Sequence, residues 1–458
     1  MATAGAAQTT FNAEEYLDSR PLGWGHVVSV IVLMLVMLVD GYDLFVAGGL
    51  IPAIADAWHV KPSALTMVIV AQQAGLLAGV LFVGPLSDHY GRRRMLMICL
   101  ACFGLCTVLA GLTHSPTQLM VVRFVSAIFF SGALPNCVAL TAELAPKRLM
   151  AGLIGIVFCG YTGGSFVTAF VLAFMLKPFG WQGGFYLGGA LALLMVPIVL
   201  VALPESIRFL VSRNPDDPTI GRNLRKIDPA LELTGSEHFV LSAAPAARPR
   251  VRLNALMSDG MFRITMLIWI SYFLSFFTLQ MMNNWETTVF HNVGHVPYAR
   301  IALLLSIRTT TGIIGTATAG FLMDRFGAGK ALPLFYVSSA VLLAMGLAYV
   351  DLNSTLAVLI FGALGYTINS GIGGLNALAA MSYPSRIRVT GIAWGSGFGR
   401  IGGMLGPMLG GILLASALQA REFFTTVAVS EILAGVSIWF IGRQSRPTAL
   451  GAPSQSVS

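Results

Sequence analysis

Apolar residues occupy most of the chain, in continuous runs of about 20 residues, the length of a helix that crosses a bilayer. Because the runs do not alternate with polar residues, they indicate helices rather than strands. Twelve such spans are predicted, at 26–48, 65–86, 95–112, 117–140, 150–173, 183–203, 263–284, 299–322, 331–350, 355–380, 390–415 and 422–441. We therefore expect an all-α polytopic membrane protein with twelve transmembrane helices.

Polar residues collect in three stretches that divide the spans into two sets of six. We expect a tail at 1–25, a six-helix bundle at 26–203, a linker at 204–262, a second six-helix bundle at 263–441 and a tail at 442–458. The first stretch lacks the basic region and the apolar core of a cleavable signal peptide.

Composition and charge agree with a membrane protein. Of the 458 residues, 56% are hydrophobic and 10% are charged, whereas a soluble domain carries about 25% charged residues. Most lysines and arginines fall in loops on the side of the amino terminus, so the positive-inside rule predicts that both termini are cytoplasmic. The net charge of +8 is explained by this bias, and nucleic-acid binding is not expected. The five cysteines lie inside apolar runs, where small buried hydrophobes are the better interpretation than metal ligands.

Two loops share one motif. The second span of the first half is followed by "GPLSDHYGRRR" (84–94), and the second span of the other half by "GFLMDRFGAGK" (320–330). A motif repeated at the same place in two six-helix halves indicates a parallel internal duplication, which is typical of transporters. We expect these loops to take part in gating, through Gly84, Asp88, Gly91 and Arg92 in the first copy and Asp324 and Arg325 in the second.

Charged residues inside the spans are the strongest functional candidates, because an ionised group in hydrocarbon is costly and usually marks a transport pathway. They are Asp40, Asp43, Arg123, Arg308, Arg400 and Glu431.

Two of these charges lie close together in "LVDGYDLFVAGG" (38–49). Asp40 and Asp43 share a helix face, and two close carboxylates in a low dielectric do not both ionise cheaply. This predicts a proton site, with the question of which carboxyl carries the proton left open. Asp43 lies about 25 Å from the cytoplasmic end of its span and Arg123 about 9 Å from the outer end of its own. In a core about 30 Å thick these depths nearly coincide, so contact between them is expected.

At this point the chain resembles the major facilitator superfamily. The first loop matches the superfamily signature at Gly84, Asp88, Gly91, Arg92 and Arg93 and departs from it at His89, where Arg or Lys is usual. "DGYD" in span one, together with the segments 123–148, 204–210 and 383–407, resembles the aromatic acid:proton symporters. That resemblance implies functional charges at Asp40, Asp43, Arg123, Arg388 and Arg400.

The remaining site predictions follow from position in the spans. Asp40, Asp43 and Arg123 are expected to couple protons. Glu143 and Arg388 are expected to join the gate at the cytoplasmic ends of spans four and eleven. Glu286 is a conceivable partner of Arg308, and Glu431, on the peripheral span twelve, is expected to have a structural or lipid-edge role. The predicted substrate-binding residues are Arg400, Arg308, Tyr42, Asn369, Asn376 and Trp394.

Together these features predict proton-coupled uptake of a small aromatic carboxylate, benzoate- or hydroxybenzoate-like, across a bacterial inner membrane by alternating access. The expected partners are the aromatic acid, protons and the lipid bilayer. No cofactor is expected beyond the coupling proton, and the family suggests a monomer. The alternatives are a symporter of another organic acid such as muconate, an exporter, a membrane-embedded enzyme or a sensor. The duplicated twelve-span pattern and the missing metal-ligand clusters argue against an enzyme, and a linker of about 60 residues is small for a sensor domain.

Overall fold

The computed structural model describes residues 10–444, except 147, 229–230, 232, 234–236, 242–253, 258–260, 348–350, 384–386 and 417–419. The described part is almost entirely helical, and the all-α prediction is confirmed. The predicted carboxy-terminal tail lies mostly outside the described residues.

Chain contacts divide the protein into two compact units. The amino-terminal unit contains the described residues of 1–248 and 297–303, and the carboxy-terminal unit those of 249–296 and 304–458. The amino-terminal unit contains strand β1 (Thr10–Asn12), helices α1 (Ala13–Ser19), α2 (Trp24–Ala57), α3 (Thr66–Tyr90), α4 (Arg92–Gly111), α5 (Pro116–Phe130), α6 (Ala133–Leu144), α7 (Met150–Phe170), α8 (Leu176–Ala202), α9 (Ile207–Arg213) and α10 (Pro218–Ile227), and strand β2 (His238–Val240).

The carboxy-terminal unit contains α11 (Asn254–Met257), α12 (Phe262–Thr288), most of α13 (Tyr298–Phe326), α14 (Ala328–Val341), α15 (Thr355–Ser382), α16 (Arg388–Ala415) and α17 (Ala420–Gln444). Short π-helical segments extend α7, α12 and α14, at Val171–Met175, Val289–Val293 and Leu342–Leu347.

Ten helical segments of the described chain are long and apolar enough to cross a membrane. One of them, Gly152–Ala202, covers predicted spans five and six, and it is interrupted at Gly180, whose φ is 64°. The shorter apolar helix Ala328–Ala344 covers the ninth predicted span. Each predicted span therefore lies mainly on helix, and span four is divided between α5 and α6 by a turn at 131–132.

The two units repeat the same helix pairing. In the amino-terminal unit, α2 packs against α7 and α4 against α8; in the carboxy-terminal unit, α12 packs against α16 and α14 against α17. These are the first with the fifth and the third with the sixth span of each half. A Cβ at Gly41 would overlap the Tyr161 carbonyl on α7, and one at Gly402 would overlap the Phe273 carbonyl on α12. Glycine thus permits the close helix approach at Gly41 and at Gly402.

A small cap joins the amino-terminal segment to the region after α8. Strand β1 pairs in parallel with β2, in the register Phe11 with Phe239. Leu17 of α1 belongs to the same buried cluster as Leu224 of α10, and the Tyr16 hydroxyl donates to Asp228 Oδ2 at 2.7 Å. From the sequence these stretches are expected to be a tail and a linker, and nothing in it predicts that they fold together.

Candidate functional site

A buried carboxylate–guanidinium pair joins α2 to α5 in the amino-terminal unit. Arg123 donates to Asp43 Oδ1 at 2.7 Å and to Oδ2 at 2.8 Å, and Nη2 also lies 3.3 Å from the Asp43 carbonyl oxygen. The Arg123 and Asp43 side chains are 1% and 2% exposed. A two-pronged pair of this kind is among the strongest hydrogen-bonded arrangements in proteins, and it satisfies both carboxylate oxygens of Asp43.

Polar and aromatic neighbours complete the surroundings of this pair. The Thr107 hydroxyl on α4 donates to Asp43 Oδ1 at 3.4 Å, and the Arg123 guanidinium carbon lies 5.6 Å from the centre of the Phe185 ring on α8. Arg123 and Phe185 also line a small, mainly apolar crevice between α2, α3, α5 and α8, together with Ile51 and Gln72. The guanidinium therefore borders space that is not filled by side chains of this unit.

Asp40 lies one helical turn before Asp43 and has different surroundings. It is 3% exposed, and its carboxyl is within electrostatic range of the thiols of Cys99 on α4 and Cys137 on α6. Within the described residues it has no ion-pair partner, and the charged group that acts on it is Asp43, of the same sign. Asp43 thus has a cationic partner, whereas Asp40, on the same helix face, has none among the described residues.

A second buried pair lies in the carboxy-terminal unit, between α12 and α13. Arg308 Nη2 donates to Glu286 Oε1 at 2.7 Å and to Asn283 Oδ1 at 3.1 Å. Within the described residues, Glu286 Oε2 and Arg308 Nε are buried and have no hydrogen-bond partner. The structure brings together two residues that the sequence suggests as partners, and it does so through one carboxylate oxygen.

The other predicted substrate-binding residues of this unit lie on α15 and α16. Trp394 is 47% exposed and stacks on Trp269 of α12 at 6.3 Å between ring centres. Asn376 accepts a hydrogen bond of 2.7 Å from Tyr272. Asn369 donates to the Gly365 carbonyl at 3.0 Å, and Arg400 is partly exposed. Their contact with a substrate stays a prediction.

Tyr42, which the sequence predicts to bind substrate, is buried inside the amino-terminal unit. It is 0% exposed, its hydroxyl donates to the Gly184 carbonyl at 2.7 Å, and its ring packs where a Cβ at Gly188 would stand. Asp43 contacts α5, whereas its neighbour Tyr42 contacts α8. Contact of Tyr42 with a substrate stays a prediction.

The first motif loop forms an ion pair with the end of α6. Arg92 contacts Glu143, which also accepts a hydrogen bond from the Ser206 hydroxyl. The Arg92 side chain is 27% exposed and that of Glu143 is 7% exposed. Two residues that are expected to act in gating are thus direct partners, and their gating role stays a prediction.

Glu205, which is absent from the residues predicted from sequence, lies at the amino end of α4. Its carboxylate accepts from the backbone N–H groups of Arg93 at 2.9 Å and of Arg94 at 3.4 Å. An anion is favourable there because the free N–H groups and the helix dipole both attract it. Gly91, with φ of 98°, begins the turn, and a Cβ on it would lie 2.8 Å from Glu205 Oε2. The signal is present in "PESIRFL" (204–210), as an acidic residue directly after a span.

The second motif copy is more open. Asp324 and Arg325 are exposed, and in the described part of the chain neither forms an ion pair; Arg325 lies 5.7 Å from the centre of the Phe326 ring.

Gly84 is exposed, and a Cβ on it would meet no atom within 4 Å. The side chains of Asp88 and Arg388 lie outside the described residues, so the predictions for them stay predictions.

Glu431, for which a structural or lipid-edge role is expected, is buried inside the carboxy-terminal unit. It is 2% exposed, it accepts a hydrogen bond from Ser339 on α14, and it interacts with Thr278 on α12. Its polar partners are hydroxyl groups, so it ties α17 to two neighbouring helices without a cation.

Comparison with known proteins agrees with this geometry. The model of the Major Facilitator Superfamily matches residues 33–372 and 268–457. The chain is 28% identical to a gallate transporter of Pseudomonas putida, over 93% of this chain and 94% of the relative. It is 29% identical to the 4-hydroxybenzoate transporter PcaK of Pseudomonas aeruginosa, over 96% of this chain and 97% of the relative.

A solved structure shares the fold. The bacterial homologue of the human lysosomal transporter Spinster, in an inward-facing and unoccupied conformation, superposes with a TM-score of 0.70 at 15% identity, covering 92% of this chain and 97% of that one.

Fold, internal repeat and buried charges define a multi-pass membrane transporter. The chain belongs to the Major Facilitator Superfamily, as its motif loops predict.

Proposed function

We propose that the protein carries a small aromatic carboxylate of the benzoate or hydroxybenzoate class into the cell together with protons, by alternating access in the bacterial inner membrane. The observation that carries this proposal is the buried Asp43–Arg123 pair with Asp40 one turn away and without a cation of its own. The names of the relatives, which are transporters of gallate and of 4-hydroxybenzoate, support the substrate class.

Asp40 is the group that we assign to the coupling proton. An isolated buried carboxylate is so costly that such a group takes up a proton instead. Both oxygens of Asp43 accept hydrogen bonds from Arg123, whereas the charged group that acts on Asp40 within the described residues is Asp43, of the same sign. Binding and release of the proton at Asp40 then change the net charge next to the Arg123 pair. In this proposal, that change in charge couples protonation to alternating access.

The membrane potential explains why uptake of an anion would be coupled to protons. Carrying a monoanion inward against a negative interior costs about 2.3 kcal/mol per 100 mV. One co-transported proton cancels that charge, and any further proton adds driving force. The substrate carboxylate is expected at a guanidinium, Arg400 or Arg308, with ring contacts from Trp394. The orientation with both termini in the cytoplasm and action as a monomer belong to the same proposal.

Uptake into proteoliposomes tests the proposal. Full-length protein is reconstituted, and labelled 4-hydroxybenzoate, benzoate and muconate are offered with an acidic exterior, with no gradient, and with a protonophore. Accumulation of an aromatic acid that the protonophore abolishes supports the proposal. Preference for muconate overturns the substrate class. Uptake that ignores the pH gradient overturns the coupling, and net movement only outward, against the proton, overturns the direction.

A further inference from the structure

The two buried pairs of the molecule differ in how completely their charges are satisfied. In the first pair, Arg123 binds both oxygens of Asp43, and the guanidinium side chain is 1% exposed. In the second pair, Arg308 binds one oxygen of Glu286, and its side chain is 9% exposed. Within the described residues, the Nε of each arginine is buried without an acceptor, but Glu286 Oε2 also has no donor, whereas both oxygens of Asp43 have one. The second pair is therefore incomplete at its carboxylate.

A guanidinium offers donors in a planar fork that matches a carboxylate. Arg308 uses Nη2 for two acceptors, Glu286 Oε1 and Asn283 Oδ1. Its Nε–H has no acceptor but is buried, and the side chain is 9% exposed, so a second carboxylate binds the guanidinium once the side chain turns toward it. Each carboxylate that shares this cation weakens the attraction to the other, so Glu286 and an incoming anion are natural competitors.

The electrostatic surroundings of Glu286 are simple. Arg308 is the charged group that acts on it, and burial is the other influence. Elements packed against α12 also carry His291, Arg400 and Glu431, while the hydrogen bond of the Glu286 carboxyl in the described structure is with Arg308. The side chain of Arg388, on α16, lies outside the described residues. A proton on Glu286 would therefore be felt mainly by Arg308.

We propose that Glu286 is a second proton-binding residue, which positions Arg308 and competes with the substrate carboxylate for its guanidinium. This inference rests on the proposed function, because it takes an aromatic carboxylate as the substrate. When a proton from the medium binds Glu286, its negative charge is removed and the ion pair weakens. Arg308 then turns donors toward the substrate carboxylate. When the substrate leaves, Glu286 gives up the proton and takes Arg308 back.

The direction of the pH effect on substrate affinity follows from the linkage between proton binding and substrate binding. Protonation of Glu286 favours substrate binding, so affinity falls as pH rises, by up to about tenfold per pH unit for each linked proton. With Asp40 also linked, two protons contribute. Glu286→Gln is a neutral mimic of the protonated acid, so it removes one of the two contributions and binds more tightly than the wild type at alkaline pH. Glu286→Asp keeps an acid and keeps the dependence.

The experiment measures binding of labelled 4-hydroxybenzoate to the purified full-length protein in nanodiscs across the neutral pH range. The matched control is Glu431→Gln, which neutralises another acid of the same unit that is also 2% exposed but is bonded to hydroxyl groups. We expect a shallower pH dependence for Glu286→Gln and an unchanged one for Glu431→Gln. A wild-type slope in Glu286→Gln overturns the inference, as does loss of binding at every pH in a variant that is still folded.

A second arm does not depend on the folding of a Glu286 variant. In Asp40→Asn, the inference predicts that part of the pH dependence remains, because Glu286 still titrates. If Asp40→Asn alone removes all pH dependence while binding persists, Glu286 is not a linked proton site. Failure of the proposed function has a different signature, since the wild type would then bind none of the aromatic carboxylates at any pH.

Discussion

At the scale of single residues, the molecule separates charges that are paired from charges that are not. Arg123 binds both carboxylate oxygens of Asp43, Arg308 binds one oxygen of Glu286, and Asp40 has no cation among the described residues. Burial of each charge is unfavourable unless it is compensated. The incompletely compensated groups are consequently the ones at which a proton or a ligand relieves that cost.

Loss of the Asp43 charge should destabilise the amino-terminal unit. Asp43→Asn leaves Arg123 as an uncompensated buried cation, and breaking such a pair costs about 3–5 kcal/mol. We expect a clearly lower unfolding temperature of the detergent-purified protein and loss of transport. In the double variant Asp43→Asn with Arg123→Gln, much of the stability should return, without transport. Equal stability of the single and the double variant would contradict this account.

Sequence reasoning predicted contacts better than orientations at this scale. The Asp43–Arg123 contact followed from depth, because the rise of a helix per residue is fixed. Depth says nothing about which neighbour a helix face meets, so the burial of Tyr42 against α8 does not follow from the sequence. The same holds for Glu431, whose hydroxyl partners come from two other helices.

At the scale of elements, the start of α4 depends on one backbone conformation. Gly91 adopts φ of 98° and lies against Glu205, which receives the first N–H groups of the helix. The motif glycine is thus explained by the turn and by the close approach of a carboxylate, and the basic residues after it by the Arg92–Glu143 pair.

Replacing that glycine should be harmful, whereas replacing the other glycine of the same motif copy should not. A side chain at Gly91 is strained by about 1–3 kcal/mol and also displaces Glu205. Gly84 has open space around its Cα. We expect Gly91→Ala to lower the thermal stability and the transport rate, and Gly84→Ala to leave stability unchanged. Matching melting curves for the two variants would show that the turn is not the reason for the glycine.

The α12–α16 contact offers a test of close packing. A Cβ at Gly402 would overlap the Phe273 carbonyl, while one at Gly397 of the same helix meets no atom within 4 Å. Overpacking typically costs about 1–3 kcal/mol. Gly402→Ala should therefore reduce the yield of monodisperse protein in size-exclusion chromatography, and Gly397→Ala should behave like the wild type. The reverse order would refute the close approach of α12 and α16 at Gly402.

The cap formed by β1, α1, α10 and β2 contains elements that the sequence does not predict. Ile220, Leu224 and Ile227 of α10 follow helical spacing, so an amphipathic helix could have been recognised inside the polar stretch. Its partner could not, because α1 has only seven residues and a helix that short is stable only through packing. The strands β1 and β2 are three residues each and pair across more than 200 positions of sequence, which no local pattern reveals.

At the scale of the whole molecule, the same helix arrangement occurs in both units, but the buried ion pairs join different spans in each. The first and fifth spans and the third and sixth spans pair in both units, as the repeated motif loops predict. The ion pairs join the first and fourth spans in the amino-terminal unit but the first and second in the other. Duplication therefore accounts for the scaffold, whereas the buried ion pairs differ between the two halves.

The most direct test of the proposed proton coupling compares the wild type with Asp40→Asn in two assays on the same proteoliposomes. The assays are exchange of labelled for unlabelled 4-hydroxybenzoate without a gradient, and accumulation driven by an acidic exterior. The wild type should perform both, and Asp40→Asn should exchange substrate but concentrate it much less than the wild type, because one of the two residues proposed to take a coupling proton has been neutralised. Accumulation by Asp40→Asn at the wild-type level would contradict the account.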